Sequence, residues 1–379
     1  MKRLIGTVTI AAFFCYVICY AYIYSSFDRN LPVKSAFSSS GTVTVNRYKA
    51  MELTSLDFIE RKLIGPKGEI YTSIRNGRLD KETLSESIGL IMEYSVASDR
   101  KELFDREYEY LRDHLLSEGN YIRWKYGRDI TCNSLIDDLR IIRALLNAHE
   151  KWGGREYFDS AGFMQETIFT SQVRDGGICE LYDWKYRIAK DVMPLCYPDF
   201  YTMNRLNAFN NGWVKVGDDA VKTVKNGLIK QGKPLFNKYY NFENESYSMD
   251  EEMSENKGVC LTYTIYTALH LAEINENTEQ FTKWLKNEMK KGRLYAWYHP
   301  ISLKPVQKIE STAVYALAAM YADKVGEDKL AERLTDKMLG FMIKNKKSLY
   351  YGGFGDQQSG EFYSFDNLTA LLALAVVAK

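Results

Sequence analysis

Carboxylates recur in this chain beside predicted helix starts, where they could move protons. Glu86 lies in "TLSESIGLIMEY", at the head of a segment whose Leu84, Ile88, Ile91 and Met92 share one helical face. Asp137 and Asp138 stand side by side at the start of "SLIDDLRIIRALLNAHEKWG". Asp250, Glu251, Glu252 and Glu255 form an acidic run ahead of another apolar helix, and Asp366 stands with Tyr363 at the mouth of the last one. Aromatic and basic residues accompany them. Trp124 lies in "YIRWKY", Tyr201 and Arg205 follow Pro198, and Tyr247 precedes Asp250.

Each feature also has a plain structural reading. Thr83 and Glu86 fit the S/T-x-x-E capping box. Asp137 and Asp138 would complement a helix dipole. An acidic run is ordinarily a solvated loop. Taken together, acids and aromatics at successive helix N-termini suit a carbohydrate cleft. Glycosidic cleavage needs one protonated carboxyl at the leaving oxygen and a second carboxylate for water or the anomeric carbon. Aromatic faces stack on sugar rings. For Glu86 two effects oppose each other. A helix N-terminus lowers a carboxyl pKa, whereas a general acid needs it raised by burial or a second carboxylate. Sequence alone leaves cap and acid both open.

The elements that must position these residues are helical. Apolar periodicity predicts helices over 49–64, 81–97, 101–117, 133–151, 155–172, 199–211, 214–230, 260–273, 276–289, 311–324, 327–344 and 365–378. Twelve helices paired as hairpins predict an all-α (α/α)6 barrel. Segments 312–320 and 367–378 are apolar all round and read as inner helices, whereas 327–339 is amphipathic and reads as outer. Short extended pieces, 293–300 and 347–354, read as rim hairpins. No domain boundary is visible after residue 49, so 49–379 reads as one domain.

Leu4 to Phe27 carries no charged residue and follows Lys2 and Arg3. The sequence predicts a single-pass anchor over 1–27, a tether over 28–48, and the domain outside the cytoplasm. The balance of 50 Lys+Arg against 49 Asp+Glu disfavours a nucleic-acid partner. Cys132, Cys179, Cys196 and Cys260 read as buried free thiols. The four His are scattered without ligand spacing, so no metal and no cofactor are expected.

The chain resembles glycoside hydrolase family 8. Ser85-Glu86 corresponds to the Ser-Glu of the family's S-E-G-x-x-Y-G segment, which holds the general acid. "SDRKELFDREYEYL" (98–111) is similar to G-D-x-x-x-F-D-x-L-W, and "YIRWKY" to L-x-x-W-x-W. "SLIDDLRIIRALL" is similar to A-T-D-G-D-x-D-I-A-Y-A-L-L, with Asp138 on the second Asp of that pattern and Ile136 on the first. "YPDFYTMNRLNAF" is similar to N-P-S-Y-F-x-P-x-x-x-R-x-F, and "FYSFDNLTALLALA" to the closing helix. Tyr247 to Asp250 matches the start of Y-x-Y-D-A-x-R, the segment of the family's base, without its Ala and Arg.

The resemblance implies an inverting, endo-acting hydrolase of a β-linked glycan. Glu86 would be the acid and Asp250 the base. Asp138 or Asp137 would hold a distorted sugar, and Trp124, Tyr201, Arg205, Tyr247 and Tyr363 would line the groove. The chain is most similar to membrane-anchored hydrolases encoded beside bacterial exopolysaccharide synthases, which implies a polysaccharide substrate and synthase machinery as a neighbour. The rivals are a lyase on the same scaffold and a non-catalytic glycan-binding or scaffolding subunit.

Overall fold

The computed structural model describes residues 41–249 and 258–377. The predicted anchor over Leu4 to Phe27 and the acidic run with Asp250 lie outside the described residues. Among the described residues there are twelve α-helices: α1 Gly41–Lys62, α2 Ser85–Ala97, α3 Lys101–Tyr110, α4 Leu135–Trp152, α5 Arg155–Gln172, α6 Phe200–Arg205, α7 Gly212–Asn226, α8 Leu261–Glu273, α9 Glu279–Lys291, α10 Thr312–Lys324, α11 Asp328–Met338 and α12 Ser364–Val377. None of them is long and apolar enough to cross a membrane.

The even-numbered helices pack in sequence, and α12 returns to α2, so they close a ring. The odd-numbered helices lie outside it, α3 on α2, α5 on α4, α7 on α6, α11 on α10 and α1 on α12, with Phe281 of α9 against Tyr321 of α10. This is an (α/α)6 barrel. The pattern of apolar residues explains the two rings. Every residue of α10 from Thr312 to Ala322 is buried, as is every residue of α12 from Ser364 to Ala375. Outer α11 buries only the stripe Leu330, Ala331, Leu334, Thr335 and Met338. The inner and outer segments expected from the sequence are these.

Short strands gather where the inner helices begin. Arg78–Thr83 runs towards α2, Val259–Cys260 into α8 and Glu361–Tyr363 into α12. Tyr71–Arg75 pairs antiparallel with both Arg78–Thr83 and Glu361–Tyr363, setting Ser73 opposite Tyr363. The sheet thereby fixes the starts of α2 and α12 side by side, with Ser87 Oγ and Ser364 Oγ 3.0 Å apart.

Several boundaries differ from those expected. The first helix begins at Gly41, inside the predicted tether. The 101–117 segment ends in a π-helical turn over Leu111–Leu115. The 199–211 segment is only a six-residue helix followed by a 3-10 turn over Leu206–Ala208. Most consequential is the start of α2. Thr83 pairs with Tyr71 in the sheet, so the helix starts one residue late for a capping box. Leu84 takes the cap position without any side-chain bond. The Ser85 amide instead donates to the Trp124 carbonyl at 3.0 Å. Glu86 is therefore not the reciprocal partner of a Thr83 cap. Cys132, Cys179, Cys196 and Cys260 are buried and form no disulfide among the described residues.

Candidate functional site

Glu86 occupies the second position of α2, half-buried at the mouth of the inner ring. Burial pushes its carboxyl up to about 8; Asp137 and Asp366 push the same way, against the opposing pull of Arg140. The conflict between dipole and burial is thus decided for burial. A glutamic acid in this setting keeps its proton at neutral pH.

Asp137 is the carboxylate that raises the Glu86 pKa most. Its Oδ2 accepts from Ser85 Oγ at 3.1 Å, and its Oδ1 accepts from Arg140 Nη1 at 2.8 Å. Burial raises its pKa, although Arg140 and the hydroxyls of Ser134 and Ser85 offset part of the rise. Ser85 Oγ also donates to the Trp124 carbonyl at 3.1 Å, which fixes that segment beside Glu86. Asp366, on α12, accepts from the Ala313 amide at 2.8 Å and so ties the start of α12 to the start of α10.

Arg140 joins this group from below. Its guanidinium reaches Asp137, the Tyr266 hydroxyl at 3.3 Å and Glu93 at 3.6 Å. Gly89 makes the approach possible. A β-carbon there would stand 3.0 Å from Arg140 Cδ and 3.2 Å from Ile141 Cγ1, tighter than ordinary packing.

The other residues named from sequence fall into separate groups. Trp124 and Tyr363 stay at the same rim as Glu86. Tyr363 is buried just before α12, its hydroxyl donating to Glu361 Oε2 at 2.9 Å. Asp138 turns away from Glu86 and accepts from Asn133 Nδ2 at 2.6 Å, and burial raises its pKa. Tyr201 and Arg205 lie at the far half of α4. Arg205 binds Asn147 Oδ1 at 2.6 Å and Glu150 Oε1 at 2.7 Å, while Tyr201 lies under the Arg143 and Arg205 guanidinium groups. At 1.5 Å per residue, Asn147 is about 15 Å along the helix from Asp137. Tyr247 donates to the Thr223 carbonyl at 2.8 Å and packs on Tyr240, against α7. Asp250 lies outside the described residues.

Sequence reasoning missed Arg140, Glu93 and Tyr266. Two of them left a signal. Glu93 is seven residues after Glu86 and Arg140 three after Asp137, so each pair shares a helix face. Also missed was Trp184, stacked on Tyr121 at 4.0 Å in the loops that approach the start of α4.

With carboxylates and aromatics at the mouth of a helical ring, the arrangement suits acid-assisted cleavage of a glycosidic bond. Comparison with known proteins agrees. Residues 29–230 match the model of glycosyl hydrolases family 8. YdaJ of Bacillus subtilis (strain 168), a lipoprotein by its name, is 31% identical over 325 residues, covering 83% of this chain and 84% of that one. A structure described as a novel alpha-amylase from Clostridium perfringens is 32% identical, with a TM-score of 0.80 over 86% of this chain and 97% of that one. PssZ from Listeria monocytogenes shares the fold at 22% identity, with a TM-score of 0.67 over 90% of this chain and 96% of its own. The chain belongs to glycosyl hydrolases family 8 and is a glycoside hydrolase.

Proposed function

We propose that this hydrolase cleaves a polysaccharide outside the cytoplasm, acting within the chain and inverting the anomeric centre. Glu86 protonates the leaving oxygen. Asp250 activates water on the opposite face of the sugar. Asp137, beside Glu86, binds the distorted ring, and Trp124 and Tyr363 line the groove at the same rim. The observation that carries this reading is the half-buried Glu86 carboxyl, raised to about 8 and flanked by Asp137 and Asp366. A general acid works best when its pKa lies near the working pH. No step calls for a cofactor.

The substrate we infer is a β-linked bacterial exopolysaccharide, in keeping with the resemblance to hydrolases encoded beside its synthases. Leu4 to Phe27 would hold the enzyme at the membrane near that machinery. The lipoprotein designation of the Bacillus relative supports an extracytoplasmic place. A second substrate reading, an α-linked glucan, is favoured by the likeness to the protein described as an alpha-amylase. The test is incubation of the full-length chain with a panel of α- and β-linked polysaccharides. New reducing ends, a rapid fall in viscosity and the product anomer by NMR report linkage, endo action and inversion. Release from none of them, or release undiminished in Glu86→Gln, overturns the assignment.

A further inference from the structure

Below the Glu86 mouth, the axis of the barrel holds a column of buried charge. Arg140 is its first cation, shared between Asp137 at 2.8 Å and Glu93 at 3.6 Å. Arg143 is its second, one turn on. It meets Glu93 at 3.9 Å, Asp199 at 3.4 Å and Glu273 at 2.5 Å. Glu93 therefore lies between the two guanidinium groups. It lines a cavity of about 650 Å³ that extends to the C-terminal ends of the inner helices. Its side chain is 17% exposed, so its proton exchanges with solvent from the end opposite Glu86.

We propose that Arg140 and Glu93 are positioning residues that govern how firmly Glu86 holds its proton. This rests on Glu86 being the general acid. The guanidinium is one charge divided between two carboxylates. When Glu93 is ionised, it draws Arg140 towards the axis and adds negative potential. Asp137 and Glu86 then receive less of the cation, and Glu86 stays protonated to higher pH. When Glu93 is neutral, Arg140 belongs to Asp137 and Glu86 alone.

The groups that face this pair are accounted for. Glu86 meets Asp137 and Arg140 from α4, Asp366 from α12 and Tyr266 from α8. Glu93 meets Arg140 and Arg143 from α4, Asp199 at the head of α6, and Tyr266 and Glu273 from α8. Glu150 and Lys151 of α4, His270 of α8 and Asp323 and Lys324 of α10 line the cavity beyond. Burial lifts the Glu93 carboxyl to about 7, against Arg143 and Arg140, so it titrates near neutral pH.

The test is the pH profile of kcat/KM for the full-length enzyme on a verified substrate. The readout is the position of the alkaline limb, not its height. Glu86 and Glu93 are two helical turns apart, about 10 Å. At an effective dielectric of about 20, one charge at that distance moves a pKa by roughly one unit. Glu93→Gln removes the competitor, so the limb should fall by about one pH unit. Arg140→Gln removes the shared cation, so the limb should rise. A merely structural role would lower the plateau or the melting temperature and leave the limb in place. A Glu93→Gln limb that is unmoved or raised overturns the proposal. If that variant does not fold, an Arg140→Gln limb that is unmoved or lowered overturns it instead. Failure of the site reading is separate. It appears as a Glu86→Gln enzyme with normal turnover, whatever the Glu93 variant does.

Discussion

Two carboxyls at opposite ends of the inner ring, Glu86 and Asp199, are held in opposite protonation states. At the mouth, Asp137 and Asp366 crowd Glu86, and the Glu86 carboxyl is pushed up to about 8. At the far end, Asp199 is more deeply buried, yet its pKa is lowered. Burial alone would raise it, but Arg143, His270 and the Thr202 donors outweigh that. The difference lies in the partners each carboxylate has, not in depth. Glu86 shares Arg140 with Asp137 and Glu93, keeps a proton and can do chemistry. Asp199 adds both Thr202 donors to its share of Arg143, is held ionised and ties α6 to α4.

The most severe test of this contrast is at the mouth. Gln keeps the shape of Glu86 but delivers no proton, so Glu86→Gln should lower kcat/KM by about 10²–10⁴-fold with the fold intact by circular dichroism. Asp250→Asn should cause a comparable loss if Asp250 is the base. Near-normal turnover of the Asp250 variant would move the base to another carboxylate of the cleft.

At the far end the same kind of change should damage stability instead. Arg143→Met leaves Glu93, Asp199 and Glu273 without their shared cation. Removing one partner of a buried ion pair typically costs about 3–5 kcal/mol. The denaturation midpoint at pH 7 should fall accordingly. An unfolding free energy within about 1 kcal/mol of the wild type would mean that these acids take up protons as readily as Glu86, and the contrast between the ends would vanish.

The fold was the more legible part of this sequence, because burial on all sides writes itself into composition. "TAVYALAAM" and "NLTALLALAVVA" can only be inner helices, and they are. The site was legible to the extent that one segment carried it. Glu86, Asp137, Trp124 and Tyr363 reach the same rim because each directly precedes or begins an inner helix, or is tied to one. Tyr201 and Arg205 read as belonging there by the same logic. Yet α6 has only six residues and begins level with Arg143, about two turns below the mouth. The start of α2 was misjudged because strand pairing of Thr83 with Tyr71, a contact across the sheet, overrode a local capping pattern. Arg140 and Glu93 were visible as helix-face neighbours of Asp137 and Glu86. Only closure of the ring brings the two helix faces into one charge column.

The smallest expected effect turns the comparison into thermodynamics. A carboxyl held up to about 8 when folded, and at about 4.3 when unfolded, binds its proton more tightly in the native state. Above roughly pH 4.3 unfolding therefore releases a proton, and stability declines as pH rises towards the folded value. Below roughly pH 4.3 both states are protonated and the penalty is absent. Gln does not ionise, so Glu86→Gln removes the penalty along with the activity. At pH 4 the variant and the wild type should melt together. At pH 7 the variant should be more stable, by about 1–3 kcal/mol, which a domain of this size registers as a few degrees. A helix cap would give the opposite pattern, with a stabilising carboxylate lost at neutral pH. If Glu86→Gln melts no higher than the wild type at pH 7, the carboxyl is not held protonated by its surroundings. The mouth of the ring would then be no different in kind from its far end.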